Sequence, residues 1–185
     1  MIEKKKLFNE ETFFQYEGMW PNVEENVFVA PGAKIIGKVN LKNNVNIWFN
    51  CVLRGDVGSI NIEEGANIQD GTIIHVSRSN LGDTNIGKHV TIGHKALIHA
   101  CSLNDECFVG MGATIMDGAV IGKHSMVAAG SVVPPNKMIK EGELWRGIPS
   151  KFVRKLDKKE IINNVETAKH YVKLSQQYKN INMNK

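Results

Sequence analysis

Aliphatic residues return along this chain every six positions. Val29, Ile35, Leu41, Ile47 and Leu53 fall six apart without a gap. Ile62, Ile68 and Ile74 resume the series after a nine-residue step, and Ile86, Ile92 and Ile98 follow a twelve-residue step. After a slip of one residue the series runs on as Leu103, Val109, Ile115, Ile121, Val127 and Val133. Four positions after these aliphatics comes a smaller set that includes Ala33, Val39, Val45, Cys51, Ala66, Thr72, Val90, Ala96, Ala113, Ala119, Ser125 and Ser131. Glycine or alanine often follows the aliphatic directly, as in Ile92-Gly93 and Val109-Gly110.

A period of six is neither helical nor a plain strand alternation. A short fixed period means one unit repeated, each burying its apolar side against the next. Strand side chains alternate faces, so an aliphatic and a small residue four apart share the inward face. A glycine after the aliphatic suits a corner that is tight or needs a positive φ. Three strand–turn units close one triangular coil, and coils stack at strand spacing, ~4.8 Å. The pattern predicts an all-β fold: a left-handed parallel β-helix of hexapeptide repeats, an exception to right-handed crossovers.

The period divides the chain. Residues 1–25 are a lead-in, with Phe13, Phe14 and Trp20 expected to cover the open end of the solenoid, and 26–135 are the β-helix. Pro134 and Pro135 are expected to stop strand pairing there. Residues 136–156 then read as a crossing loop. Asp157 with Glu160 three residues on is a capping box for a helix over 157–180, leaving 181–185 as a frayed tail. Ile161, Val165, Ala168 and Val172 form the stripe by which that C-terminal α-helix would pack along the β-helix.

Composition narrows the class further. The formal net charge of +4 is mild, and many of the lysines lie after residue 150 on the expected helix, where a solvated face explains them. A basic stripe with interleaved aromatics is missing, so no nucleic-acid partner is expected. No stretch approaches the ~20 apolar residues of a membrane span, so no membrane association is expected either. The three cysteines make no paired framework, and Cys51 and Cys107 fall at inward positions. A reduced, cytoplasmic setting is the expectation.

Against this scaffold the histidines carry the candidate chemistry. His75 and His99 each follow an inward isoleucine, Ile74 and Ile98, so both point outward. If six residues of the Ser77–Thr84 step bulge out as a loop, the two histidines become three units apart and stack on one face. His94 is the third residue of its unit and lies around a corner. It could join the other two only from a neighbouring molecule, which makes the spacing ask for an oligomer, and a triangular prism favours a trimer. Three imidazoles with one open position is the ligand pattern of catalytic zinc.

Two polar clusters accompany them. In Arg54-Gly55-Asp56 the period breaks, and the pair has the reach for an ion pair across a subunit interface. In Asn67-Ile68-Gln69-Asp70-Gly71, Gln69 takes the outward position, where its amide could face the metal cavity, and Asp70 is a candidate acceptor for a ligand imidazole N–H.

These residues together resemble the gamma-class carbonic anhydrase family: Arg54-Gly55-Asp56, Asn67 to Gly71, His75, His94 with His99, and the closing Gly147-Ile148-Pro149-Ser150-Lys151. The resemblance runs from about Val29 to Tyr178. It implies a homotrimer in which His75, His94 and His99 bind Zn2+, with Fe2+ or Co2+ able to substitute. It further implies that Arg54 and Asp56 pair across the interface, that Gln69 contacts metal-bound solvent and that Tyr171 stands near the site. The activity it implies is reversible hydration of CO2 to bicarbonate. Two departures predict slow turnover: Val57 stands where the family's best-studied form has a proton-transferring glutamate, and the Ser77–Leu81 segment has no carboxylate. Two other readings fit parts of the sequence, a hexapeptide-repeat acyltransferase using acetyl-CoA and a non-catalytic zinc-binding accessory trimer.

Overall fold

The computed structural model describes residues 12–78 and 82–183, with the side chains of 181–183 left aside. The sixfold period becomes three columns of inward side chains, one for each face of a triangular parallel β-helix of about seven turns. On the first face Ile35, Leu53, Ile74, Ile98, Ile115 and Val133 pair in register from strand to strand. The second face aligns Leu41, Ile62, Ile86, Leu103, Ile121 and Ile139. The third aligns Val29, Ile47, Ile68, Ile92, Val109, Val127 and Trp145. Two long strands, Lys34–Leu41 and Val52–Ile62, bend round from the first face to the second.

Burial explains why the columns hold. Ile35, Leu53, Ile74, Ile98, Ile62 and Ile92 are fully buried, and each contributes about 1.5–3 kcal/mol by leaving water. The small partners are buried as fully, with Ala33, Cys51, Ala66, Ala113 and Ala119 filling the narrow axis. The glycines after the aliphatics answer to closeness rather than to positive φ. A Cβ on Gly93 would meet the Met111 backbone nitrogen at 2.7 Å, and one on Gly110 would meet the Ala129 nitrogen at 2.4 Å. Left-handed backbone falls two residues later, at Lys95 and Gly112.

Three expectations shift at the ends. The repeat does not stop at Pro134-Pro135, since Met138–Ile139 and Glu143–Arg146 continue the second and third faces. The prolines occupy a corner, where no strand N–H is required and the Pro134 carbonyl accepts from the Lys137 N–H. Lys151–Lys155 then adds an antiparallel edge strand, so about half of 136–156 is strand rather than loop. At the other end Phe13–Phe14 and Asn22–Val23 pair in parallel with Lys34–Leu41, beginning the stack. The lead-in before residue 12 lies outside the described residues.

The helix α1 spans Lys158–Met183, beyond the expected end at 180, and residues 184 and 185 lie outside the described set. Its capping box closes reciprocally: the Glu160 N–H donates to Asp157 Oδ1 at 2.8 Å, and the Asp157 N–H to Glu160 Oε2 at 2.9 Å. It packs on the third face. Its most buried residues are Asn164, Ala168 and Ser175, with Tyr171 and Tyr178 on the same stripe. Ile161, Val165 and Val172 are only half-buried. The face beneath is itself partly polar, with Asn46, Asn67 and Thr91 buried in register, which is why a polar helix stripe meets it. Phe28, Trp48, Tyr171 and Tyr178 lock the two layers through tilted and edge-on ring contacts of 5.1–6.1 Å.

Candidate metal centre

The two outward histidines of the first face come together. His75 and His99 are Cα partners on adjacent parallel strands, and His75 Nδ1 lies 3.1 Å from His99 Nε2. The twelve-residue step does bulge out, closed at its root by the Ser77 N–H donating to the Gly82 carbonyl. Residues 79–81 of that loop lie outside the described set. Thr84 Oγ1 donates to the His75 carbonyl at 2.7 Å and Asp83 Oδ1 accepts from the Ser59 N–H at 2.6 Å, fixing the loop's return.

Each ring is held from its far side by a carboxylate. His75 Nε2 is 3.0 Å from Asp56 Oδ1, and His99 Nδ1 is 2.6 Å from Asp117 Oδ1. An ionised carboxylate only accepts, so these ring nitrogens are the N–H donors. Asp56 also accepts from Arg54 Nη1 and from the Val57 N–H. Burial pushes the Asp56 carboxyl up, but the bonds from His75, Arg54 and Val57 outweigh it and hold the group below the usual carboxylate range. Arg54 itself is the strand partner of His75. Within one chain Arg54 and Asp56 already form an ion pair, because residues two apart on a strand share a side.

His94 sits at the opposite edge of the same face, in the corner leading in from the third face, with Nδ1 2.8 Å from Asp70 Oδ2. Asp70 lies close enough to Tyr171 that burial first, then this carboxylate, raises the phenol above its ordinary value. Gln69 is buried to 5% exposure. Its corner lies one coil beyond Trp48, which Tyr171 and Tyr178 of α1 cover. Asn67 stands apart from the histidines beneath α1, where its Nδ2 donates to Thr91 Oγ1 at 2.8 Å and its Oδ1 is buried without a partner.

The molecule therefore carries two half-sites: His75, His99, Arg54, Asp56 and Asp117 at one edge, and His94, Asp70 and Tyr171 at the other. Among the described residues of one chain, no three histidine, cysteine or carboxylate groups form a metal-binding set. The His75–His99 pair nevertheless fits a metal. With each outer nitrogen donating to a carboxylate, a neutral ring leaves its inner nitrogen a lone pair, and two nitrogens at 2.0–2.1 Å from a tetrahedral zinc stand about 3.3 Å apart. The remaining histidines differ: His124 faces Glu106, His89 lies over Gly65, and His170 is exposed. Sequence reasoning did not find Asp117, although it lies one eighteen-residue coil beyond His99.

Fold and half-sites define a hexapeptide-repeat β-helix protein with a histidine centre divided between two edges. The family model described as bacterial transferase hexapeptide (six repeats) matches residues 100–135. Gamma carbonic anhydrase 2, mitochondrial, of Arabidopsis thaliana is 50% identical over 84% of this chain, which spans 58% of that relative's length. Gamma carbonic anhydrase 3, mitochondrial, of the same plant is 40% identical over 94% of this chain and 69% of its own. A solved hexapeptide transferase family protein from Anaplasma phagocytophilum is 45% identical with a TM-score of 0.88, covering 92% of this chain and 99% of its own. The chain belongs to the gamma carbonic anhydrase family.

Proposed function

We propose that this chain reversibly hydrates CO2 to bicarbonate, as a homotrimer with a divalent metal, Zn2+ first, held at each interface. His75 and His99 of one subunit and His94 of the next would be the ligands. One observation carries the reading: an imidazole pair with ring nitrogens 3.1 Å apart on one edge of the first face, with a third carboxylate-backed imidazole on its other edge. The exposed Ile73 and Leu97 between those edges give a second copy an apolar surface to cover.

A bound metal of this kind supplies a nucleophile from water near neutral pH. The chain's own residues prepare for it. Asp56, Asp70 and Asp117 each take one ring N–H and leave the opposite nitrogen free to donate its lone pair. Arg54 keeps Asp56 ionised and in place. Val57, half-buried against the core, offers no proton acceptor beside Asp56, so the proton released in each turnover leaves to buffer. Turnover is then slow at low buffer.

Metal analysis with stopped-flow CO2 hydration tests this, using wild type, His94→Ala and His75→Ala/His99→Ala. Each variant alone should lose metal and activity. Refolded together they should regain activity at about a quarter of the interfaces, because a random trimer pairs one variant's intact edge with the other's. Absence of that recovery would defeat the shared site. Metal retained without hydration would favour an accessory trimer. The solved transferase-family relative supports a second reading, for which metal-free acetyl-CoA turnover is the signature.

A further inference from the structure

We infer that Asp117 is a positioning residue of this centre, fixing the tautomer and the aim of His99; the inference rests on reading His75 and His99 as ligands. Asp117 lies outside both motifs that pointed to the site. Its carboxylate nonetheless makes the shortest of the three contacts to these histidines, at 2.6 Å against 2.8 Å for Asp70 and 3.0 Å for Asp56.

The backbone brings it there. The Gly118 N–H donates to the Ala100 carbonyl at 2.7 Å, setting the Asp117 corner directly on the corner that follows His99. Residue 100 is an alanine, 1% exposed at φ +43°, so no long side chain stands between Asp117 and the imidazole. Because Asp117 Oδ1 takes the Nδ1–H, His99 Nε2 carries a lone pair. Asp56 imposes the same on His75, whose Nδ1 is then bare. Two lone pairs face each other across 3.1 Å, an arrangement that repels by itself and that a cation between them relieves. Without Asp117, His99 is free to place its proton on Nε2, where it blocks the position a metal would take. The Asp117 side chain is about half exposed, 47%, so the fold has little stake in it.

The test uses the full-length protein and Zn2+ alone. In metal-free wild type, nitrogen NMR of the imidazoles should show His99 protonated on Nδ1, with the signal assigned by its loss in His99→Gln. Asp117→Ala should lose that preference and bind Zn2+ about 10–100-fold more weakly against a competing chelator. Asp117→Asn should be as weak, because its amide can donate to Nδ1 and stabilise the wrong tautomer. Asp117→Glu should restore part of the affinity, and the metal-free melting temperature should hold in all three. An unchanged tautomer in Asp117→Ala, or a weakened affinity that merely follows a lowered melting temperature, would overturn the inference. Wild type that binds no Zn2+ would remove the proposed function, and the tautomer would still decide the role of Asp117.

Discussion

Leu97 and Ile98 are neighbours on one strand and face opposite worlds: Ile98 is fully buried in the first-face column, while Leu97 is 39% exposed between the two half-sites. The pair separates fold from assembly. Ile98→Ala should lower unfolding stability by about 2–5 kcal/mol in denaturant titrations. Leu97→Ala should leave the coil intact and lower the trimer fraction in sedimentation. Equal effects on both measurements would argue that Leu97 does not face a second copy.

Val57→Glu is expected to raise hydration in dilute buffer and to make little difference in concentrated buffer, because it adds a proton acceptor beside Asp56. Its half-buried position should cost some thermal stability. Wild-type hydration that is fast and independent of buffer concentration would contradict this account of proton export.

Tyr171 is held above its ordinary value of 10.0 by burial and then by Asp70. A raised acid favours the protonated form in the fold, so its contribution is complete below pH 10 and is lost as pH climbs past that value. The Trp48 ring lies edge-on to Tyr171 at 5.5 Å, so Trp48 emission should report loosening of α1 above pH 10. Tyr171→Phe should remove its share of that step and leave the neutral-range hydration profile unchanged in shape.

Glu160 is pulled from 4.5 down to about 2, chiefly by the Arg154 guanidinium and then by the Asp157 N–H. A depressed carboxyl stabilises above its unfolded value and loses that contribution as pH falls. Amide exchange at the start of α1 should therefore stay slow near pH 4 and quicken as pH approaches 2. Glu160→Gln should abolish this step, and Asp157→Ala should cost about 1 kcal/mol.

The columns and the His75–His99 pairing were legible because a strict six-residue register leaves no freedom once inward positions are known. The solenoid's last coils were legible too, in principle: Ile139 and Trp145 continue the sixes past Val133. Two prolines hid them, since proline forbids a strand interior and permits a corner, and a corner is where they lie. The buried stripe of α1 was not legible, because Asn164 and Ser175 are buried against a face that is itself lined with Asn67 and Thr91. Asp117 was hidden by distance along the chain, since its contact to His99 exists only once coils are stacked. The burial of Gln69 was not legible, because register gives the direction of a side chain but not what covers it.

The loop between Ser77 and Thr84 is an excursion that leaves and re-enters the coil at one place. His75 and His99 are twenty-four residues apart, yet only one full turn separates them. Length added or removed within that excursion cancels out of the stacking, so the pairing of His75 with His99 does not depend on it. A single deletion between Ile86 and His99 has no such outlet. It would turn every later side chain onto the wrong face and separate the pair.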